Sequence, residues 1–419
     1  MHIPLALVMR QMSEIATFHA LLVLFIGVNW AVKGRFDKVS YIAAYIAGSE
    51  VLWRMNEARI FWEFGKYATA AILIVLLLRI RRLGKSRSAI LYFILLLPSI
   101  IFMVFDQDWS EVKDQISFNL SGPFVLMLSV CVFSQTKLTM YQFRQLSLAL
   151  IAPVVGITTV AVSNTISASD ISFSLRSNFV TSGGFGPNQV SAALSLGTLL
   201  AFFLIIDPRV HRFLRFVLFP VAIIFVVQSA LTFSRTGLFM AGLSITTASL
   251  FLLKDTRSRI RLIVITFLIF VIGNYFLLPR LDTFTDGALL NRFRELEASG
   301  RDIEMHDEIR VWRDNWLYGV GPGQSYYHRV KFSNFLPVAS HTEYTRALAE
   351  HGLFGLFALI LLLVMMLENF KRASNTHDRA IKAALNAWFI MFLLVSGMRL
   401  VAPAFVFGLA SLELLPSED

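Results

Sequence analysis

The chain of 419 residues contains one cysteine, Cys131, so no intrachain disulfide can form, and a lone thiol inside an apolar run says nothing of redox compartment. Charged residues make up only 16% of it, below the roughly 25% usual in soluble domains. No glycine-rich loop ending in Gly-Lys-Ser or Gly-Lys-Thr occurs, which argues against an ATP-driven pump. His306, His328, His341 and His351 show neither an HExxH pattern nor Cys/His ligand spacing. The run His306-Asp307-Glu308 groups ligand types by chance, and neither metal nor cofactor is expected. No fixed-period repeat and no Gly/Ser linker divides the chain, so residues 1–419 read as a single integral membrane domain. A small-residue cleavage site is also missing. The first apolar run is followed by KGRFDK at 33–38, so that run is expected to stay as an anchor.

What the chain has in abundance is apolar length. Hydrophobic residues reach 56% and mean hydropathy is +0.64. Apolar runs of roughly 17–25 residues recur, each able to cross a hydrocarbon core about 30 Å thick as a helix. Spans are expected near 15–32, 39–53, 67–83, 89–105, 116–134, 146–163, 189–206, 214–232, 237–253, 260–278, 349–367 and 383–400. The fold class is therefore all-α, a polytopic membrane helical bundle of about twelve transmembrane helices with a long, partly helical outer loop. The net charge of +10 would suggest nucleic acid in a soluble protein, but here the excess Lys and Arg sits in short loops and reads as topogenic. No nucleic-acid partner is expected; membrane lipids are. The basic loops 79–87, 137–144, 208–215, 254–261 and 371–382 belong in the cytoplasm by this rule, leaving 106–115, 164–189 and 279–348 outside. The same count puts the N-terminus outside unless residues 1–12 form a shortened helix. Residues 399–415 could make a thirteenth or re-entrant segment.

The outer loop 279–348 is far longer than an ordinary connection, and Trp312, Trp316, Tyr318, Tyr326, Tyr327, Phe332 and Phe335 argue that it is ordered. Its arginines, Arg280, Arg292, Arg294, Arg301, Arg310, Arg313, Arg329 and Arg346, stand against a single Lys331. Asp282, Asp286, Glu295, Glu297, Asp302, Glu304, Asp307, Glu308, Asp314 and Glu343 nearly balance them. Arginine's planar fork suits phosphate or carboxylate and keeps its charge when partly desolvated. The plain alternative is a set of internal ion pairs holding the loop together. Arg235 in FSRTG (233–237) and Arg176 lie on the same side. Arg235 can snorkel to the interface, or Ser234, Thr236 and Gly237 can bring backbone donors to an anion, as can Gly183, Gly184 and Gly186 before Asn188.

The phrase GVGPGQ at 319–324 follows no strand and lacks the third glycine of a dinucleotide fingerprint, so it is not read as a nucleotide site. In SHTE at 340–343, Ser340 and Glu343 match a capping box, which predicts a helix starting at His341. The positive helix end there would keep the imidazole neutral and able to accept a proton beside a bound anion. A surface histidine in an ordinary first turn is the alternative.

Taken in order, GGFGPNQ (183–189), FSRTG (233–237), SGRDIEMHDEIRVWRDNWLYGVGPG (299–323) and HTEYTRALAEHGLFGL (341–356) resemble the bacterial O-antigen ligase and O-antigen polymerase family over most of the C-terminal 240 or so residues. The resemblance implies a GT-C-like membrane glycosyltransferase of the bacterial inner membrane, with its active site in the periplasmic loop 279–348. The donor would be an undecaprenyl-diphosphate-linked oligosaccharide, the acceptor a glycan or lipid, and no metal would take part. Position by position, His341 corresponds to the essential loop histidine and is the expected catalytic residue. Arg235 corresponds to the arginine of the Ser-Arg motif, Arg301 and Arg310 to basic positions at the loop's start, and Arg176 more loosely to a donor-binding position. Many relatives have His-Asn where this chain has His341-Thr342. Readings of another class are a lipid-linked glycan transporter or an envelope-assembly interaction protein. Against the former, no inverted repeat or pair of Gly/Pro-broken helices at matching positions is evident.

Overall fold

A computed structural model describes residues 1–81, 86–101, 103, 109–294, 301–332, 340–395 and 397–415. Glu295, Glu297, Phe335, residues 299–300, and parts of the 79–87 and 106–115 loops lie outside the described residues. Among those described, eight helices are long and apolar enough to cross a membrane: Ser13–Val32, Trp109–Phe133, Met140–Ser167, Pro187–Ile206, Arg212–Leu231, Arg235–Leu252, Ser258–Phe284 and Glu343–Lys371. The other four expected spans centre on helices that are shorter or more polar, namely Phe36–Met55, Phe64–Ile80, Arg87–Leu95 and Thr376–Val395. Their buried charges, Glu50, Lys66, Asp378 and Lys382, lower their apolarity and are matched inside the bundle by Arg54, Glu63 and each other. Residues 1–12 contribute a short helix, His2–Gln11, and the tail forms another, Ala402–Ser411, too short to span by itself. A two-stranded parallel ladder pairs Lys137–Thr139 with Glu413–Leu415.

Burial separates pillar from perimeter. Pro187–Ile206 is 89% buried over its apolar window, whereas Ser258–Phe284 is only 6% buried and turns Ile263, Phe267 and Phe270 outward. An apolar helix with so little protein around it is solvated by lipid. Small residues let the inner helices touch. A Cβ at Gly48 would stand 2.6 Å from the Leu150 carbonyl oxygen, so Phe36–Met55 and Met140–Ser167 meet backbone to backbone.

The long 279–348 segment is built largely from helices among its described residues, and its first boundary is later than the hydropathy suggests. The Thr256–Ile272 helix runs through a π-helical turn, Gly273–Leu277, into Leu278–Phe284. Pro279 sits in the first turn of that last piece, where its missing N–H is tolerated, and the wider turn before it absorbs the lost bond. Ala288–Arg294, Arg301–Asp314 and Ser325–Arg329 follow. The GVGPG phrase has a structural role. Gly319, Gly321 and Gly323 take φ of 73°, 98° and 75°, and Val320 and Gly321 donate backbone N–H bonds to the Ala349 and Glu350 carbonyls at 3.0 and 2.9 Å. The facing helix breaks at Gly352, φ 58°, where Leu353 N–H reaches back to the Leu317 carbonyl at 3.1 Å.

Candidate active site

The helix expected to start at His341 starts two residues later, at Glu343. Its N-cap is Thr342, whose hydroxyl accepts the Tyr344 N–H at 3.2 Å. Ser340 and Glu343 therefore do not form the expected capping box. Both are buried and committed elsewhere: the Ser340 hydroxyl donates to Glu308, and Glu343 accepts from Arg346 at 2.5 Å and from the Met398 N–H at 3.2 Å. Charge-assisted partners have displaced the neutral reciprocal contacts of a box. The Thr342 departure also finds an explanation, because Thr and Asn serve alike as N-cap acceptors.

His341 consequently lies just outside the helix, and the dipole argument does not apply to it. Its ring is neutral for another reason. Burial, followed by the nearby positive charges of Arg301, Arg399 and Arg329, lowers its pKa to about 4. The side chain stays 26% exposed, so solvent or substrate reaches it, and Nε2 stands 4.0 Å from Glu304 Oε1.

Glu304 and Glu308 form the acidic floor of the site. Arg329 Nη1 lies 3.8 Å from each carboxylate, and Glu308 also accepts from Ser340 and Thr345. Burial pushes both acids up, against the pull of Arg329. Helical geometry decides which residues of Arg301–Asp314 take part. At 3.6 residues per turn Arg301, Glu304 and Glu308 fall within about 60° of each other, while Arg310 lies about 180° from Arg301. Accordingly Arg310 is exposed, 3.6 Å from Asp307 and 5.8 Å over the Phe332 ring. It is not brought to His341. Arg176 is exposed at a bend in a non-helical segment with its backbone N–H on Ser174 Oγ at 3.3 Å, and likewise is not placed among the groups around His341.

Arg235, by contrast, joins the cluster. It is the first residue of Arg235–Leu252, and its charge, with that of Arg292, acts on Arg301. The preceding Ser234 donates to Asn188 Oδ1 at 2.7 Å, and Gly237 N–H bonds Ser191 Oγ at 2.9 Å, so the FSRTG and GPNQ signatures interlock. A Cβ at Gly237 would stand 2.2 Å from Ser191, which is why glycine follows the Ser-Arg-Thr turn. Arg292 Nε donates to the Phe233 carbonyl at 3.4 Å and ties the Ala288–Arg294 helix to that turn. The sequence reading did not single out Arg399, whose Nη2 donates to the Ser340 carbonyl at 2.6 Å beside His341. An arginine stranded in the apolar stretch GMRLVAP was the available signal. Among the described residues no group of three or more His, Cys, Asp or Glu could hold a metal.

Below the Phe233 turn lies an apolar cavity of about 580 Å³ between the helices from Pro187 to Phe284, closed by Leu289, Leu290 and Phe293. Those last residues belong to the same short helix as Arg292.

Residues 220–360 match the protein family described as O-antigen ligase. The matched stretch runs from the helix before Arg235 through Arg292, Arg301, Arg329 and His341 to beyond Gly352, so it contains most of the cluster described above. The match makes this stretch of about a third of the chain similar to O-antigen ligases. No curated protein matches the chain.

Proposed function

We propose, taking the O-antigen ligase match as premise, that the protein is a glycosyltransferase of the bacterial inner membrane. On this reading it moves an oligosaccharide from undecaprenyl diphosphate to a hydroxyl of a glycan or lipid acceptor, on the periplasmic face, using residues of the 279–348 loop. The observation that carries the reading is a neutral, accessible histidine set among Arg301, Arg329 and Arg399, with Arg235 and Arg292 alongside and an apolar cavity beneath. A lipid diphosphate needs that combination: hydrocarbon walls for the chain and fixed cations for the head.

In the proposed step the acceptor oxygen bonds to the anomeric carbon of the donor's first sugar. The bond from that carbon to the diphosphate oxygen breaks, its electron pair leaves with undecaprenyl diphosphate, and the acceptor proton passes to His341. The arginines stabilise the departing diphosphate where its charge develops. They also act on the base, adding to the larger effect of burial. Free, they keep the imidazole a weak base; once a diphosphate neutralises them, the ring's basicity rises, so its proton affinity appears with the donor.

The test is transfer by purified protein in lipid, from an undecaprenyl-diphosphate oligosaccharide, with and without lipid A core. Glycan joined to the core signifies ligation, and a lengthened chain on the carrier signifies polymerisation. Absence of either product from active, folded protein would overturn the reading.

A further inference from the structure

The loop joining Phe36–Met55 to Phe64–Ile80 encloses a second cavity, of about 280 Å³, quite unlike the first. It is lined by Glu50, Trp53, Arg54, Phe61, Trp62 and their neighbours, and shares no helix with the apolar cavity. Trp62 and Phe61 remain 52% and 57% exposed, on the connecting loop and not on a long apolar helix. The chain turns there through Glu57 with φ 52°, a conformation that costs a non-glycine residue energy and fixes the loop's path.

Arg54 is the hinge of this cavity. Its guanidinium lies 4.5 Å over the Trp62 ring, and Nη2 bonds Glu50 Oε1 at 2.7 Å and the Trp62 carbonyl at 2.8 Å. The side chain is only 6% exposed, yet its Nε is buried without a hydrogen-bond partner. The same Nη1 reaches the Arg399 carbonyl and Gln189 Oε1, both at 3.3 Å, and Trp62 packs on Phe185 with ring centroids 6.0 Å apart. The cavity is thus one side chain from Arg399, which holds the Ser340 carbonyl beside His341.

Aromatic faces, a guanidinium and acidic acceptors in a space of this size match a pyranose, whose C–H face packs on a ring while its hydroxyls donate and accept at the rim. We propose that this cavity is a sugar-binding subsite for the acceptor glycan. The assignment to the acceptor rests on the transferase reading above. With the donor's lipid on the helices of the apolar cavity, the attacking hydroxyl must come from another side, and the 56–63 loop supplies a wall that the donor does not need.

Saturation-transfer NMR on the full chain in detergent tests binding apart from catalysis. The probes are glucose, galactose, N-acetylglucosamine, rhamnose and oligosaccharides cut from the host cell's own surface polysaccharide. At least one should take up saturation through its ring C–H protons in wild type and in His341→Ala, lose it in Trp62→Ala, and keep much of it in Trp62→Phe. Equal signals in wild type and Trp62→Ala, or none from any sugar in wild type, would overturn the subsite. Binding by wild-type protein that shows no transfer activity would instead sink the transferase reading alone. In the transfer assay Trp62→Ala should raise the acceptor KM about tenfold, the scale of one lost stacking contact of about 1.4 kcal/mol, with kcat and donor KM kept. A change confined to the donor KM would remove the acceptor assignment.

Discussion

The two faces of the Arg301–Asp314 helix make an informative comparison. One face carries Arg301, Glu304 and Glu308 into the charged floor beneath His341; the other carries Arg310, exposed and resting on Asp307 and Phe332. The residue types are the same and the segment is the same. What separates them is rotation about a helix axis, which fixes whether a guanidinium meets the site or solvent. Composition can therefore announce an arginine-rich site without saying which arginines are in it.

Replacement of His341 tests the shared target of the inward face and carries the largest expected effect. His341→Ala should lower glycan transfer by about 10²- to 10⁴-fold, the range of a lost general base, with an unchanged melting temperature. Near-normal turnover would remove the base assignment. The comparison itself is tested next: Arg301→Ala should cost about 10²-fold or more in kcat, as for loss of a group stabilising developing charge. Arg310→Ala should stay within twofold, and equal losses would erase the distinction between the faces. Arg235→Lys keeps the charge but loses the fork, and a fall of about tenfold is expected in donor-dependent kcat/KM. Glu308→Gln strikes the inward face through stability. Ser340 and Thr345 lose a charged acceptor and Arg329 a partner, so a loss of about 1–3 kcal/mol should appear as a lower melting temperature in detergent.

The pH profile gives the finest discrimination. His341 is the unprotonated base above its pKa, so kcat/KM, which reports the free enzyme, should hold steady from pH 8 down to 5 and fall only as pH drops toward about 4. If a bound diphosphate neutralises the arginines, kcat should begin to fall at a higher pH than kcat/KM. Coincident profiles would mean that the donor does not alter the base.

Much of this could be read from the sequence because it is local. Apolar length marked the spans, and the Ser-Arg turn and loop histidine stood in recognisable phrases. The errors share a cause. Ser340 and Glu343 have the spacing of a capping box, but spacing does not reveal that Glu308 and Arg346 compete for them. Arg310 occupies a matching phrase, although a half-turn carries it away from the cluster. The place of Arg399 is hidden from the sequence because its partner, the Ser340 carbonyl, is 59 residues earlier and invisible to any pattern of neighbours. Fold class is written in periodicities, whereas the membership of a site is written in contacts between distant segments.

The break at Gly352 bears on geometry relative to the bilayer. The Glu343–Lys371 helix has the proposed catalytic segment at one end and an apolar span along the rest, and backbone bonds from Val320, Gly321 and Leu353 clamp the loop to it at that break. The membrane span therefore acts as a ruler. The altitude of His341 above the hydrocarbon is set by a fixed stretch of clamped backbone, so the active centre should ride with the bilayer surface and match the depth at which a lipid carrier holds its diphosphate. A side chain at residue 352 would collide with the Gly319 N and the Leu317 carbonyl, each 2.6 Å from the added carbon, and would loosen that calibration before it touched any reacting group.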